Sequence, residues 1–153
     1  MKKLLFIFAV LSIVFISCDD ETDDLTYEEQ LAKDIELIQD YLNEKGLTAT
    51  AGEDGLYYII EEEGTGSTPT LDSTVKVSYI GKYLDDEIFG SGTIEAELRE
   101  FILGWQLGIP YFKEGGSGTL YLPSGLGYGK HGYGTIPKNK VLIFDIELIE
   151  VSD

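Results

Sequence analysis

His131 and Cys18 are the only histidine and the only cysteine in this 153-residue chain, so the residues best suited to strong chemistry are nearly absent. No Cys–His pair or metal-ligand cluster can be assembled from one of each, and no metal is expected. A Ser-His-Asp triad would have to use His131, and no G-x-S-x-G elbow precedes a helix pattern. Carboxylates are plentiful, but nothing places two of them in a defined pocket, and a solvated surface is the better reading. What the chain concentrates instead is aromatic and aliphatic. Residues 100–148 run E-F-I-L-G-W, then K-E-G-G-S-G-T-L-Y-L-P-S-G-L-G-Y-G, then T-I-P, then V-L-I-F-D-I-E-L. This stretch holds the single Trp, two Tyr in a glycine-rich loop and a Phe in mid-strand. Such residues build a pocket that works by shape and desolvation.

One motif points elsewhere. Residues 127–132, G-Y-G-K-H-G, match G-x-G-x-x-G, with Glu147 downstream as a candidate ribose ligand. A dinucleotide site needs a helix opening directly after those glycines, with its N-terminus facing the pyrophosphate. Here the chain runs into Thr135, Ile136 and Pro137 and then a strand pattern. The glycines serve a tight loop, and no cofactor is expected.

The elements that must position these residues follow from periodicity. Residues 26–46 predict an amphipathic helix. Thr26 and Glu29 have capping-box spacing, Tyr27, Leu31, Ile35, Ile38 and Leu42 recur on one face, and Lys45-Gly46 supplies the stop. The stripe either docks on the following domain or pairs two copies of the chain. Residues 47–54 read as a linker. From 55 to 153 strands dominate: residues 56–60, then Val75, Val77 and Tyr79 alternating with polar neighbours, then a turn at Asp85-Asp86 with a partner strand starting at residues 87–89. Residues 102–112, with Trp105, Leu107, Ile109 and Phe112, predict a short buried helix. Residues 119–122 and 141–151 are further strands, the last alternating Leu142, Phe144, Ile146 and Leu148 against Asp145 and Glu147. One internal helix and no β–α alternation predict an α+β domain, an antiparallel sheet covering a helix.

The N-terminus adds a location. Lys2 and Lys3 precede an apolar run at 4–16, too short for a membrane-spanning helix, which ends at Ser17-Cys18. This resembles the lipobox of bacterial lipoproteins, although Phe15 and Ile16 fit it loosely. It predicts a signal peptide at 1–17 and lipidation of Cys18, with an ordinary secretory signal as the alternative. Residues 18–25 form an acidic tether, and D-D-E-T-D-D at 19–24 also resembles the export signals of surface lipoproteins in Bacteroidetes-like bacteria. The formal net charge is −17, and loss of 1–17 with its two lysines makes the chain more acidic still. Nucleic acid is not an expected partner. The expected location is the cell envelope, lipid-anchored at the outer membrane.

Between about 55 and 151 the chain resembles FKBP-type peptidyl-prolyl cis-trans isomerase domains. The segments that carry the likeness are V-S-Y-I-G at 77–81, the Phe89 strand start, E-F-I-L-G-W at 100–105, L-P-S-G-L-G-Y-G at 122–129, T-I-P at 135–137 and F-D-I-E-L at 144–148. The resemblance implies a bent antiparallel sheet wrapped around a short helix beginning near Trp105. It implies aromatic walls from Tyr79, Phe89 and Phe144, a rim from Phe101 and Ile102 with the Ile102 amide offered to a peptide, and Trp105 as the floor under a proline ring. Tyr128 would donate its hydroxyl to a substrate carbonyl, and Ile136 would close the loop side. The partners implied are proline-containing polypeptides and macrolide inhibitors.

The implied chemistry suits a site without a nucleophile. Rotation about an X–Pro amide breaks C–N resonance but makes and cuts no bond. Two departures from the family pattern bear on rate. Gly90 stands where the family usually has Asp, and the segment from Phe89 to Glu100 is short and lacks an aromatic contribution. Both predict an opened wall, with weaker isomerase activity and weaker macrolide binding. A non-catalytic module or holdase gripping proline-containing or apolar segments is the alternative, and a purely structural surface protein is a third reading.

Overall fold

Thr26 begins the first element of the computed structural model, which describes residues 25–152. The signal sequence, Cys18 and the 19–24 acidic run lie outside the described residues. Helix α1 spans Tyr27–Lys45. Its capping box is closed: Thr26 Oγ1 accepts the Glu29 amide at 3.2 Å, and the Glu29 carboxylate accepts the Thr26 amide at 2.9 Å. Gly46 ends the helix at φ 65°, a left-handed conformation that glycine adopts without steric cost.

Six strands follow: β1 (Thr50–Ala51), β2 (Tyr57–Glu62), β3 (Thr74–Lys82), β4 (Ile88–Glu97), β5 (Ser117–Leu122) and β6 (Leu142–Ser152). They form one antiparallel sheet in the order β1-β2-β5-β6-β3-β4. Two stretches differ from the sequence expectation. Residues 47–54 are not simply a linker, because Thr50 and Ala51 pair with Tyr58 and Tyr57 and occupy backbone groups at the edge of β2. The partner of β3 continues well past Phe89. It matches β3 from Lys82↔Ile88 to Thr74↔Glu97, so most of the segment after Phe89 is ladder rather than loop.

The internal helix is also shorter than residues 102–112. Helix α2 covers Leu103–Gly108, and a 3₁₀ turn at Ile109–Tyr111 completes the segment. Pro110 has no amide to continue the α-helical ladder, which accounts for the change. The helix lies tight against the sheet. A Cβ at Gly108 would sit 2.8 Å from the Leu120 side chain, and one at Gly104 would collide with Leu122.

Strand β5 and the start of β6, Leu142 to Phe144, are buried on both faces. Leu120, Leu122, Leu142, Phe144, Ile146 and Leu148 point to one side with Trp105, Ile109 and Phe112. Tyr121 and its cross-strand partner Ile143 point to the other, where Ile38, Tyr41 and Leu42 of α1 cover them. The period-two alternation of a strand therefore serves two cores at once. The hydrophobic stripe of α1 docks on the domain, with Leu31 and Ile35 closing over Gly55. Tyr27 departs from the buried stripe and is 58% exposed. No helix among the described residues is long and apolar enough to cross a membrane.

Candidate active site

Five elements converge on a cavity of about 340 Å³. Strand β3 delivers Tyr79, β4 delivers Phe89, Gly90 and Ile94, and β6 delivers Phe144. The start of α2 brings Ile102 and Trp105, with Phe101 just before it, and the glycine-rich loop brings Tyr128 and residues 133–136. All eight residues proposed from the sequence line this one space: Tyr79, Phe89, Phe101, Ile102, Trp105, Tyr128, Ile136 and Phe144.

The aromatic side chains hold one another at fixed angles. The Trp105 indole meets Phe144 edge-on at 5.3 Å and 85°, and Tyr79 at 5.4 Å and 77°. Phe101 tilts over the indole at 5.1 Å, and Phe89 stands at 87° to Phe144. Edge-to-face contacts of this kind are the favoured geometry of ring quadrupoles, worth about 0.5–1.5 kcal/mol each beyond area burial. They make the site stiff before any ligand arrives. Trp105 is 4% exposed, and its indole N–H has no hydrogen-bond partner among the described residues.

The Tyr128 hydroxyl and the Ile102 amide are among the donors left free at the cavity. Neither the Tyr128 hydroxyl nor the Ile102 amide donates to another group among the described residues, although the Ile102 carbonyl accepts from Trp105 and Gln106 at the first turn of α2. Burial raises the pKa of Tyr128 above the ordinary tyrosine value, and nearby Tyr79 and Tyr133 add to the effect. The hydroxyl therefore keeps its proton and can donate throughout the neutral range.

Sequence reasoning missed four lining residues: Ile94, Tyr133, Gly134 and Thr135. Tyr133 stacks on Tyr128 with centroids 5.2 Å apart and planes 16° from parallel. Its signal in the sequence is its place in the same glycine loop. Ile94 carries no such signal, because its direction depends on the register that pairs it with Val77. At Gly90 a Cβ would meet nothing within 4 Å, so this wall is open. Only a three-residue turn, Gly129–His131, follows the first glycines of the G-x-G-x-x-G match. Among the described residues no three His, Cys, Asp or Glu side chains group as metal ligands.

The family model described as FKBP-type peptidyl-prolyl cis-trans isomerase matches residues 65–149. The chain is 37% identical over 128 residues to the FKBP-type peptidyl-prolyl cis-trans isomerase FkpA of Aeromonas hydrophila, covering 80% of this chain and 47% of that protein. Identity to FkpA of Escherichia coli K12 is 34% over 140 residues, covering 88% of this chain and 47% of the relative. The crystal structure of FkpA from Escherichia coli superposes with a TM-score of 0.72 at 34% identity, over 82% of this chain and 60% of that one. A peptidyl-prolyl cis-trans isomerase from Pseudomonas syringae pv. tomato gives 0.72 at 28% identity, over 85% of this chain and 98% of that one. The chain spans about half the length of the curated relatives it matches.

Proposed function

The chain belongs to the FKBP-type peptidyl-prolyl cis-trans isomerase family, and from that membership we propose that it catalyses cis–trans isomerisation of X–Pro bonds in exported polypeptides. The observation that carries the reading is an aromatic floor and walls beside two free donors, Tyr128 hydroxyl and Ile102 amide. The barrier to peptide-bond rotation is about 18–20 kcal/mol, set by amide resonance. In the twisted amide that resonance is lost and the carbonyl is less polar, so a dry site disfavours it less than the planar form. The proline ring rests on Trp105 while Tyr128 and Ile102 hold the flanking carbonyls in the twisted geometry. Only binding that is stronger in the twisted state accelerates the step, and each 1.4 kcal/mol of it is worth about tenfold.

The test is a proline-isomerisation assay on a soluble form starting near Asp19. Acceleration that disappears in Tyr128→Phe, with the fold retained, supports catalysis. A folded wild type that accelerates no X–Pro peptide sinks it.

A second reading has its own observation. Gly90 leaves one wall empty, and Tyr133, which lines the cavity, stands 70% exposed. These favour a site that grips apolar or proline-containing segments without turning them over efficiently. Wild-type suppression of client aggregation that survives Tyr128→Phe would support it. The same open wall underlies the expectation of slow turnover and weak macrolide binding, and turnover typical of the family would contradict it.

Location rests on the sequence alone. Cys18 is the proposed lipid attachment point of an outer-membrane lipoprotein of a Bacteroidetes-like bacterium. Labelling with a radioactive fatty acid, lost in Cys18→Ser, checks the anchor.

A further inference from the structure

The carboxylate of Asp34 is fully buried, although it lies on a helix whose other acids face solvent. Its Oδ2 accepts the Ser124 amide at 2.7 Å and the Ser124 hydroxyl at 2.5 Å, across 90 residues of sequence. Its Oδ1 accepts Gln30 Nε2 at 2.7 Å. A buried carboxylate is tolerated only when its lone pairs are filled, and here three donors fill them. Ser124 opens the short turn Ser124–Leu126, which is followed at once by Gly127 and Tyr128. Tyr27, on the same helix, lies over Gly125, where a Cβ would come within 3.0 Å of its ring. Thus α1 grips the loop at two consecutive residues just upstream of the pocket tyrosine.

We propose that Asp34 is a positioning residue for Tyr128, acting through Ser124. The proposal rests on the isomerase reading of the pocket. Asp34 touches no substrate. It fixes the start of the loop, and the loop's own bonds, Gly132 N–H to the Tyr128 carbonyl at 3.1 Å and Asn139 N–H to the Gly129 carbonyl at 2.8 Å, carry that constraint past Tyr128. Without it the hydroxyl is delivered to the cavity over a wider range of positions, and catalytic hydrogen bonding tolerates little misplacement.

The experiment is a double-mutant cycle in the isomerisation assay, joined to amide hydrogen exchange. Asp34→Ala lowers kcat/KM about tenfold in the wild-type background, mostly through kcat, and less than about twofold in the Tyr128→Phe background, because the two residues act as one unit. Asp34→Asn, which keeps an acceptor oxygen, restores most of the rate. Exchange at Gly132 and Asn139 speeds up in Asp34→Ala, while amides in the β3–β6 ladder are unchanged. Ser124→Ala replaces Asp34→Ala in the same cycle if the latter does not fold.

Equal losses in both backgrounds, or no loss, overturn the proposal, since a merely structural role scales activity by the same factor everywhere. If the wild type itself is inactive, the isomerase reading fails separately, and exchange decides. Acceleration confined to the loop supports the latch, and uniform or absent acceleration overturns it.

Discussion

Gly81 lies directly beneath the Phe89 ring: a Cβ on Gly81 would sit 2.5 Å from Phe89 Cζ and 3.1 Å from Phe144 Cε1. Gly81 pairs with Phe144 on one side and Gly90 on the other, so it is the place where β3 makes room for two pocket walls. Gly81→Ala pushes Phe89 off Phe144. Overpacking of this kind costs about 1–3 kcal/mol. The expected outcome is a lowered urea midpoint together with lost isomerase activity. An unchanged midpoint and rate would show that Phe89 moves without consequence.

Tyr128→Phe tests the donor with little change of shape. The hydroxyl has no partner among the described residues, so its removal leaves stability within about 0.5 kcal/mol. If the hydroxyl binds the twisted amide more strongly than the planar one, kcat/KM falls by about tenfold. Trp105→Ala is the harsher companion, and loss of a buried indole costs about 3–5 kcal/mol. Chemical denaturation and the isomerisation assay, run on the same samples, separate the two effects.

Gly90→Asp fills the open wall. Its Cβ would meet nothing within 4 Å, and the backbone there is not left-handed, so the variant folds with near-wild-type stability. Turnover and macrolide affinity rise if the missing wall limits them. A well-folded Gly90→Asp with unchanged rate would put the limit elsewhere, with Tyr133 the next candidate.

Stability declines on the alkaline side. Burial is the leading cause that raises the pKa values of Tyr41, Tyr121 and Tyr128, Tyr121 to about 12, whereas an unfolded tyrosine titrates near 10. Above about pH 10 the unfolded chain releases protons that the folded chain retains. Unfolding is then favoured increasingly as pH climbs through the folded values. Urea midpoints taken from pH 8 upward are expected to hold flat to about pH 10 and then fall. A flat profile beyond pH 11 would contradict the burial of these hydroxyls.

Local interactions made part of this molecule readable from the chain. The Thr26–Glu29 cap, the Gly46 stop and the alternation of Leu142, Phe144, Ile146 and Leu148 involve residues a turn or a pleat apart. Periods of 3.6 and 2 record such neighbours directly. The scarcity of histidine and cysteine was equally plain, since composition alone decides it. Composition marked the stretch with Trp105 and Tyr128 as an aromatic pocket, whereas the separate roles of Trp105, Tyr128 and Ile136 were implied only by likeness to a family.

The tertiary structure decided the rest, because it depends on partners that the chain brings from far away. Asp34 stands three residues after Leu31 and four before Ile38, but its partner is unreadable until Ser124 arrives from 90 residues on. Ile143 reads as part of an unbroken apolar run in β6 until Tyr121 and α1 give its outer face a core of its own. Ile94 becomes a pocket wall only through its register opposite Val77, and Tyr133 only by stacking on Tyr128. A sequence pattern reports which face a residue takes within its own element. Which other element meets that face is set by the joint packing of sheet and helices, and that choice brought Tyr128, Ile102 and Trp105 to one cavity.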